Sequence, residues 1–185
     1  MQPFQLERYF ARYEFNVKHL LCASDCESLS LAELLAQAQP ALLHRWETLR
    51  MSYTESQGDP DLRAAIAATY TTVSADDVLV AAPEELIFLL MHCLLRPGDE
   101  VVAIAPAYQS LHEVATGIGA TVRRWSVRAV DGRWQLDLDE LAALLSDRTR
   151  LLVVNFPHNP TGYLPSAAEF AAIMALADRH GVPIF

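Results

Sequence analysis

A buried run and the polar loop after it decide the fold, and together they read Leu151-Leu152-Val153-Val154-Asn155-Phe156-Pro157-His158-Asn159-Pro160-Thr161-Gly162. The four apolar residues at the start predict a strand that is covered on both faces. Ser166 then starts a helix, so Asn155–Gly162 is the loop at the carboxyl end of that strand. In open α/β sheets this edge is where ligands bind.

Strands and helices alternate on both sides of this loop. Short apolar strands are predicted at Val78–Ala81, Val101–Ala105, Thr121–Val127 and Leu151–Asn155, with a further one beginning at Val182–Phe185. Helices are predicted between them at 83–95, 109–116, from Asp137 or Asp139 to 145, and at 166–180. This alternation predicts an α/β fold with a mainly parallel sheet between two helical layers, a three-layer αβα arrangement. Because a strand has only just begun at Phe185, we expect the sheet to be incomplete within the chain.

The first part of the chain is predicted to be helical. Helices are indicated over residues 4–14, from Ser30 with Glu33 as a capping-box partner, from Pro40, and from Asp59-Pro60.

Composition narrows the class of protein. The chain has 185 residues, of which 52% are hydrophobic, and a formal charge of −9. An acidic chain without a basic stripe argues against a nucleic-acid partner. The longest apolar stretch, Leu86–Leu95, is broken by His92 and is too short for a membrane span. Cys22, Cys26 and Cys93 are consistent with a reducing cytoplasm, and no second cysteine pair follows that would complete a metal site.

Other familiar chemistries find no support. The segment Gly117-Ile118-Gly119 follows a helix and precedes a strand, which is the reverse of the order in a dinucleotide-binding turn, so it is interpreted as a helix end. The six histidines are scattered, and each is interpreted as structural. No G-x-S-x-G elbow of a serine hydrolase occurs.

Four motifs share a resemblance to one family. They are Tyr53 in a Tyr-x4-Gly-x3-Leu-Arg pattern, Pro97-Gly98-Asp99-Glu100-Val101, Pro106-Ala107-Tyr108 and the loop Asn155–Gly162. From Tyr53 to Phe185 the chain resembles the N-terminal portion of the large domain of class I/II aminotransferases, the aspartate aminotransferase-like enzymes of fold type I. These enzymes depend on pyridoxal 5′-phosphate (PLP).

The resemblance implies roles for three side chains. Tyr108 would stack on the pyridine ring of PLP, which requires a flat aromatic face. Asn159 would donate a hydrogen bond to the cofactor's 3′-oxygen, and Asn159-Pro160 is a candidate for a cis peptide bond. Tyr53 would reach the phosphate bound by a neighbouring subunit, which implies a homodimer.

The resemblance places the phosphate at Ala82, Pro83 and Glu84. The family has a Ser/Thr-Gly-Ala run there, at a helix N-terminus that suits an anion. In this chain Pro83 has no N–H, and Glu84 and Glu85 add negative charge, which leaves the amides of Ala82, Glu84 and Glu85 as donors.

The resemblance also implies a domain division and a missing residue. Residues 1–48 correspond to an N-terminal arm and small-domain segment, and residues 49–185 to the first part of the PLP-binding large domain. The Schiff-base lysine of the family is expected beyond Phe185, because the one lysine in the sequence, Lys18, precedes the sheet and is interpreted as a surface residue. The intact enzyme is therefore expected to transfer an amino group between an amino acid and a 2-oxo acid, and this chain alone is expected to be inactive, with no catalytic residue of its own.

Two alternatives stay open. Segments Arg96–Val101, Ala105–Leu111 and Ser146–Gly162 also resemble enzymes of the capreomycidine synthase type, which use PLP for cyclisation, so a lyase or cyclase is one alternative. The other is a non-catalytic remnant or interaction module that retains half of the fold.

Overall fold

A computed structural model describes residues 2–185 and defines their helices and strands. The helices are α1 (Gln5–Tyr13), α2 (Leu31–Ala36), α3 (Pro40–Glu47), α4 (Pro60–Ala67), α5 (Pro83–Leu94), α6 (Ser110–Ile118), α7 (Leu138–Leu144) and α8 (Ala167–Arg179). The strands are β1 (Glu100–Ala105), β2 (Thr121–Ser126), β3 (Arg128–Val130), β4 (Arg133–Gln135) and β5 (Thr149–Val153).

The chain forms two compact units. One consists of residues 2–24 together with Pro83–Phe185, and the other of Asp25–Ala82. The predicted division into residues 1–48 and 49–185 refers to the domains of a complete enzyme, and it stays a prediction.

The unit Asp25–Ala82 contains α2, α3 and α4, and Arg63 of α4 is buried. The Arg63 guanidinium donates to the carbonyl oxygens of Val78 (2.9 Å) and Ala75 (2.6 Å), which holds the chain after the 3-10 turn at Ala75–Asp77. The strand predicted at Val78–Ala81 is wrong: Val78 has extended dihedral angles, but the backbone there pairs with no strand. The Val80 N–H donates to the Gln57 carbonyl. The prediction failed because an apolar run becomes a strand only where a neighbouring strand pairs with it.

The other unit contains a three-stranded parallel sheet in the order β2-β1-β5. β1 is central and is aligned with β5 through the pair Ala103↔Val153. A further parallel bridge joins Leu152 to Ile184, where another strand was predicted to begin. The expectation of a mainly parallel sheet is confirmed.

Alternate residues of the strands face two separate cores, as the pleat requires. On one face Val101, Ala103, Leu151 and Val153 pack with apolar residues of α5 and α6. On the other face Val102, Trp125 and Leu152 pack with residues of α7 and α8. The sheet therefore lies between two helical layers, and the three-layer αβα arrangement predicted from the sequence is confirmed.

The helix ends follow the predicted signals. Ser30 with Glu33 and Ser166 with Glu169 form complete capping boxes at α2 and α8. Gly119 ends α6 with φ of 96°, a left-handed conformation that favours glycine, and a Cβ at this position would lie 3.3 Å from Pro97. This confirms that the glycine pair at 117–119 belongs to a helix end.

A small hairpin was not predicted as strands. β3 and β4 pair antiparallel across Asp131-Gly132, whose φ angles of 51° and 74° suit a type I′ turn. The Asp-Gly turn was recognised from the sequence, but strands of three exposed residues carry no apolar pattern that would reveal them.

A buried carboxylate lies at the amino end of β1. Glu100 is 1% exposed and accepts hydrogen bonds from the Ser146 hydroxyl (2.8 Å) and the Arg148 guanidinium. The Arg123 Nε lies 3.0 Å from the same carboxylate. The hydrogen bond from Ser146, and then the charges of Arg123 and Arg148, outweigh burial and lower the pKa of Glu100 below its ordinary value of 4.5.

Candidate functional site

The carboxyl ends of β1 and β5 place two loops side by side. β1 leads into residues 106–109 before α6, and β5 leads into residues 154–166 before α8. Because β1 and β5 are adjacent and parallel, both loops emerge at the same edge of the sheet. Tyr108 lies in the first loop and Asn159 in the second, so the structure brings these two predicted residues to one edge.

Asn159 presents its side-chain amide to the surface. Its backbone N–H donates to the Asn155 side-chain oxygen (2.8 Å), which fixes the turn, while its Nδ2 donates to the Ser24 hydroxyl (3.2 Å). Ser24 and residues 157–160 line an open depression of about 230 Å³. The peptide bond Asn159–Pro160 is cis, as predicted, and so are Ala105–Pro106 and Phe156–Pro157. The Asn159 amide is therefore a donor whose present acceptor is an exposed hydroxyl.

Tyr108 is half-buried and is held by the N-terminal segment, residues 2–7. Its hydroxyl donates to the Glu7 carboxylate, and the Phe4 ring packs against it at 63° with 4.7 Å between the ring centroids. Burial, then the hydrogen bond and charge of Glu7, and last the charge of Glu84, raise the pKa of Tyr108 above its ordinary value of 10.0. Tyr108 therefore stays a neutral phenol at physiological pH.

The residue after Tyr108 strengthens the contact with the N-terminal segment. The Gln109 side-chain oxygen accepts from the Gln5 N–H (3.0 Å), and its amide nitrogen donates to the Pro3 carbonyl (3.1 Å). The Gln2 N–H donates to the Glu113 carboxylate (2.8 Å). Sequence reasoning missed Glu7 and Ser24 as neighbours of the two site residues, because partners 101 and 135 positions away leave no local pattern.

The predicted phosphate residues lie at the start of α5. Ala82 ends one compact unit and Pro83 is the first residue of α5 in the other; Ala82, Pro83 and Glu84 are all exposed. Glu84 and Glu85 lie in the first turn of α5, at its N-terminus. A helix N-terminus favours an anion, but the side chains of Glu84 and Glu85 carry negative charge, which does not. The influence of Glu84 on the pKa of Tyr108 indicates that this helix start belongs to the surroundings of Tyr108.

Tyr53 lies in the unit Asp25–Ala82 and is fully exposed. Its predicted contact with a neighbouring subunit stays a prediction. Within the described residues, no group of three or more His, Cys, Asp or Glu side chains is placed to hold a metal ion. No helix among residues 2–185 combines the length and apolar composition that a membrane span requires.

Comparison with known proteins relates this chain to one family. The family description "Aminotransferase class I and II" matches residues 18–185. The chain is 42% identical to capreomycidine synthase of Streptomyces vinaceus over 160 residues, covering 85% of this chain and 41% of that protein. It is 34% identical to arginine–pyruvate transaminase of Pseudomonas aeruginosa over 134 residues, covering 69% of this chain and 34% of that protein.

A solved structure extends the similarity over the whole chain. The PLP-dependent cyclase OrfR superposes with a TM-score of 0.86 at 32% identity, and the match covers 100% of this chain and 48% of that one. The chain thus spans less than half the length of each of these three relatives.

Proposed function

The chain belongs to the class I and II aminotransferases, and from that premise we propose that the complete gene product is a PLP-dependent aminotransferase. It transfers an amino group from an amino acid to a 2-oxo acid. The observation that carries the proposal is the meeting of Tyr108 and Asn159 at one sheet edge, on the neighbouring strands β1 and β5. A flat ring and an amide donor at such an edge are two of the groups that would hold a planar, phenolic cofactor.

The donors at this edge fit PLP. The Nδ2 of Asn159 already donates to an oxygen that an incoming ligand can replace, since the Ser24 hydroxyl is exposed. Asn159 would hold the 3′-oxygen and Tyr108 would cover the ring. The N–H groups of Ala82, Glu84 and Glu85 would face the phosphate, while Pro83, which has no N–H, would begin the helix. When bound, PLP supplies an electron sink for the bond-breaking step at the amino acid's α-carbon.

In this proposal, Glu7 and Phe4 hold the Tyr108 side chain in place. Glu7 keeps the Tyr108 hydroxyl occupied as a donor, so the ring is fixed at its outer end. The raised pKa of Tyr108 leaves its hydroxyl protonated, so it remains a donor to Glu7. Phe4 packs beside Tyr108 and removes water from the side of its ring that it covers.

The experiment follows nitrogen. The complete gene product, loaded with PLP, is given an amino acid labelled with ¹⁵N at its α-amino group and an unlabelled 2-oxo acid. Transamination moves the label into the amino acid derived from the oxo acid, which mass spectrometry detects. No transfer across a panel of amino acids and oxo acids, with PLP bound, would refute the proposal.

A second candidate function has specific support. Capreomycidine synthase and the cyclase OrfR match this chain over 85% and 100% of its length, including much of the N-terminal region. A cyclase of this type keeps the labelled nitrogen in its substrate and closes a ring within the molecule. The same ¹⁵N experiment separates the two, because the label then stays in the substrate's own skeleton while its mass or retention time changes.

Dimerisation and location complete the proposal. We propose that the enzyme is a homodimer in which Tyr53, exposed in the single chain, contacts the phosphate bound by the partner subunit. A cytoplasmic location is supported by three free and exposed cysteines. Residues 1–48 would serve as the arm and small-domain segment, and residues 49–185 as the first part of the cofactor domain.

A further inference from the structure

We propose that His158 is a positioning residue that fixes the loop carrying Asn159 to the loop carrying Tyr108. The inference rests on the proposed function for its meaning, since it concerns the spacing of the two groups that would hold PLP. Its structural basis is a side-chain link between the carboxyl ends of β5 and β1.

His158 is buried where its neighbours are not. It is 1% exposed, whereas Pro157 and Asn159 on either side are exposed. A loop at a sheet edge normally turns its polar side chains to solvent, so a buried imidazole there requires partners for both ring nitrogens.

Both ring nitrogens have partners, and these partners assign the proton. Nε2 lies 2.6 Å from the carbonyl oxygen of Pro106, which can only accept, so Nε2 carries a hydrogen and donates. Nδ1 lies 2.7 Å from the Thr161 hydroxyl. The Thr161 oxygen accepts from the Tyr163 N–H (3.2 Å), which leaves its own hydrogen for Nδ1 in the neutral ring.

The backbone makes the loop around His158 a closed unit. The His158 N–H donates to the Tyr163 carbonyl (2.8 Å), and the His158 carbonyl accepts from the Gly162 N–H (2.7 Å). Gly162 has φ of 72°, which the turn requires. The position of the imidazole therefore constrains the position of Asn159, the next residue in the chain.

The other end of the link is equally close to the site. Pro106 directly follows β1, and Tyr108 is two residues further on. The paired register of β1 and β5 ends at Ala103↔Val153, so the spacing of the two loops beyond it is not set by strand pairing. The bond from His158 to Pro106 spans this gap, and it sets the separation of the Asn159 amide and the Tyr108 ring.

Two substitutions separate the link from general packing. His158→Gln can place its amide nitrogen near the position of Nε2 and retain the donor to Pro106. His158→Asn is shorter and can reach only the position of Nδ1, so it keeps a partner in Thr161 and loses Pro106. Both variants are polar and smaller than histidine, which makes each a control for the other.

The readout is non-covalent affinity, measured in the complete gene product with pyridoxine 5′-phosphate. This probe has the ring, its oxygen and the phosphate but no aldehyde, so its binding does not depend on a covalent bond. We expect His158→Asn to weaken binding about tenfold, the effect of one lost hydrogen bond, and His158→Gln to stay within about threefold of the wild type. Equal affinities for the two variants would overturn the proposal, whatever happens to their unfolding midpoints.

Amide hydrogen exchange tests the link independently of any ligand. His158→Asn should raise exchange in residues 107–110 and 159–163 together, and His158→Gln should not. If the wild type does not bind pyridoxine 5′-phosphate but shows this joint change, the link stands and the proposed cofactor function fails. If the wild type binds the probe and the joint change is absent, the link is wrong and the proposed function is unaffected.

Discussion

The two ends of the parallel sheet differ in whether their polar side chains are enclosed by protein or exposed. At the amino end, the carboxylate of the buried Glu100 is bonded to protein side chains, those of Ser146, Arg123 and Arg148. At the carboxyl end, Asn159 is exposed and its amide donates to the exposed Ser24 hydroxyl. In this proposal, a buried carboxylate with a lowered pKa does not mark the functional end of the sheet. The proposed functional end is the one where an exposed donor, the Asn159 amide, can meet a ligand.

The largest change in stability is expected from Arg123→Met combined with Arg148→Met. This double variant leaves the Glu100 carboxylate buried with one hydroxyl partner, which should lower the free energy of unfolding by about 3 kcal/mol. Urea denaturation of the complete gene product measures it. Arg128→Met is the control, because Arg128 pairs with Glu140 at 2.7 Å on an exposed surface, where loss should cost less than about 1 kcal/mol. Equal losses in the two proteins would mean that the amino end is no more closed than the surface.

A smaller effect, dependent on pH, is expected from Glu100→Gln. The pKa of Glu100 is depressed in the folded protein, so its contribution is complete above the ordinary value of 4.5 and disappears as the pH falls through the folded value. Glu100→Gln should cost about 1–2 kcal/mol at neutral pH, and the gap from the wild type should close on acidification. Unfolding curves taken at successive pH values test this, and a gap that stays constant with pH would contradict it.

The smallest change in stability is expected at the carboxyl end, where the loss of activity should nevertheless be large. Asn159→Ala removes an exposed side chain, so the free energy of unfolding should change by less than about 0.5 kcal/mol. Transfer of ¹⁵N should nevertheless fall at least about tenfold, because a donor to a charged oxygen is lost. Asn16→Ala is the matched control, an exposed asparagine whose amide donates to the Arg12 carbonyl. Parallel losses of stability and activity in Asn159→Ala would remove the contrast between the two ends.

Local signals in the sequence predicted most of the secondary structure. Ser30, Asp59 and Ser166 cap helices as expected, because a cap is made within a few residues. The apolar runs of β1 and β5 were recognised because both of their faces are buried. The strand prediction at Val78–Ala81 was wrong because a strand needs a pairing partner, and the apolar run itself does not specify one.

The candidate site was proposed from its motifs, and the contacts that connect its residues were not predicted. Tyr108 and Asn159 were identified from the motifs around them, and the parallel topology explains why they share an edge. His158 was interpreted as merely structural because six scattered histidines show no pattern in sequence. Its bond to Pro106, 52 positions away, follows from the alignment of two strands and not from either segment alone.

The docking of the N-terminal segment on Tyr108 has a consequence for the order of assembly during synthesis. Chains emerge from the ribosome with the N-terminus first. Phe4, Glu7 and Tyr108 all precede β5 and its loop in the chain, so the ring and the groups that hold it are synthesised before the amide of Asn159. The two halves of the edge are thus separated in time as well as in sequence, with the ring first and the donor second.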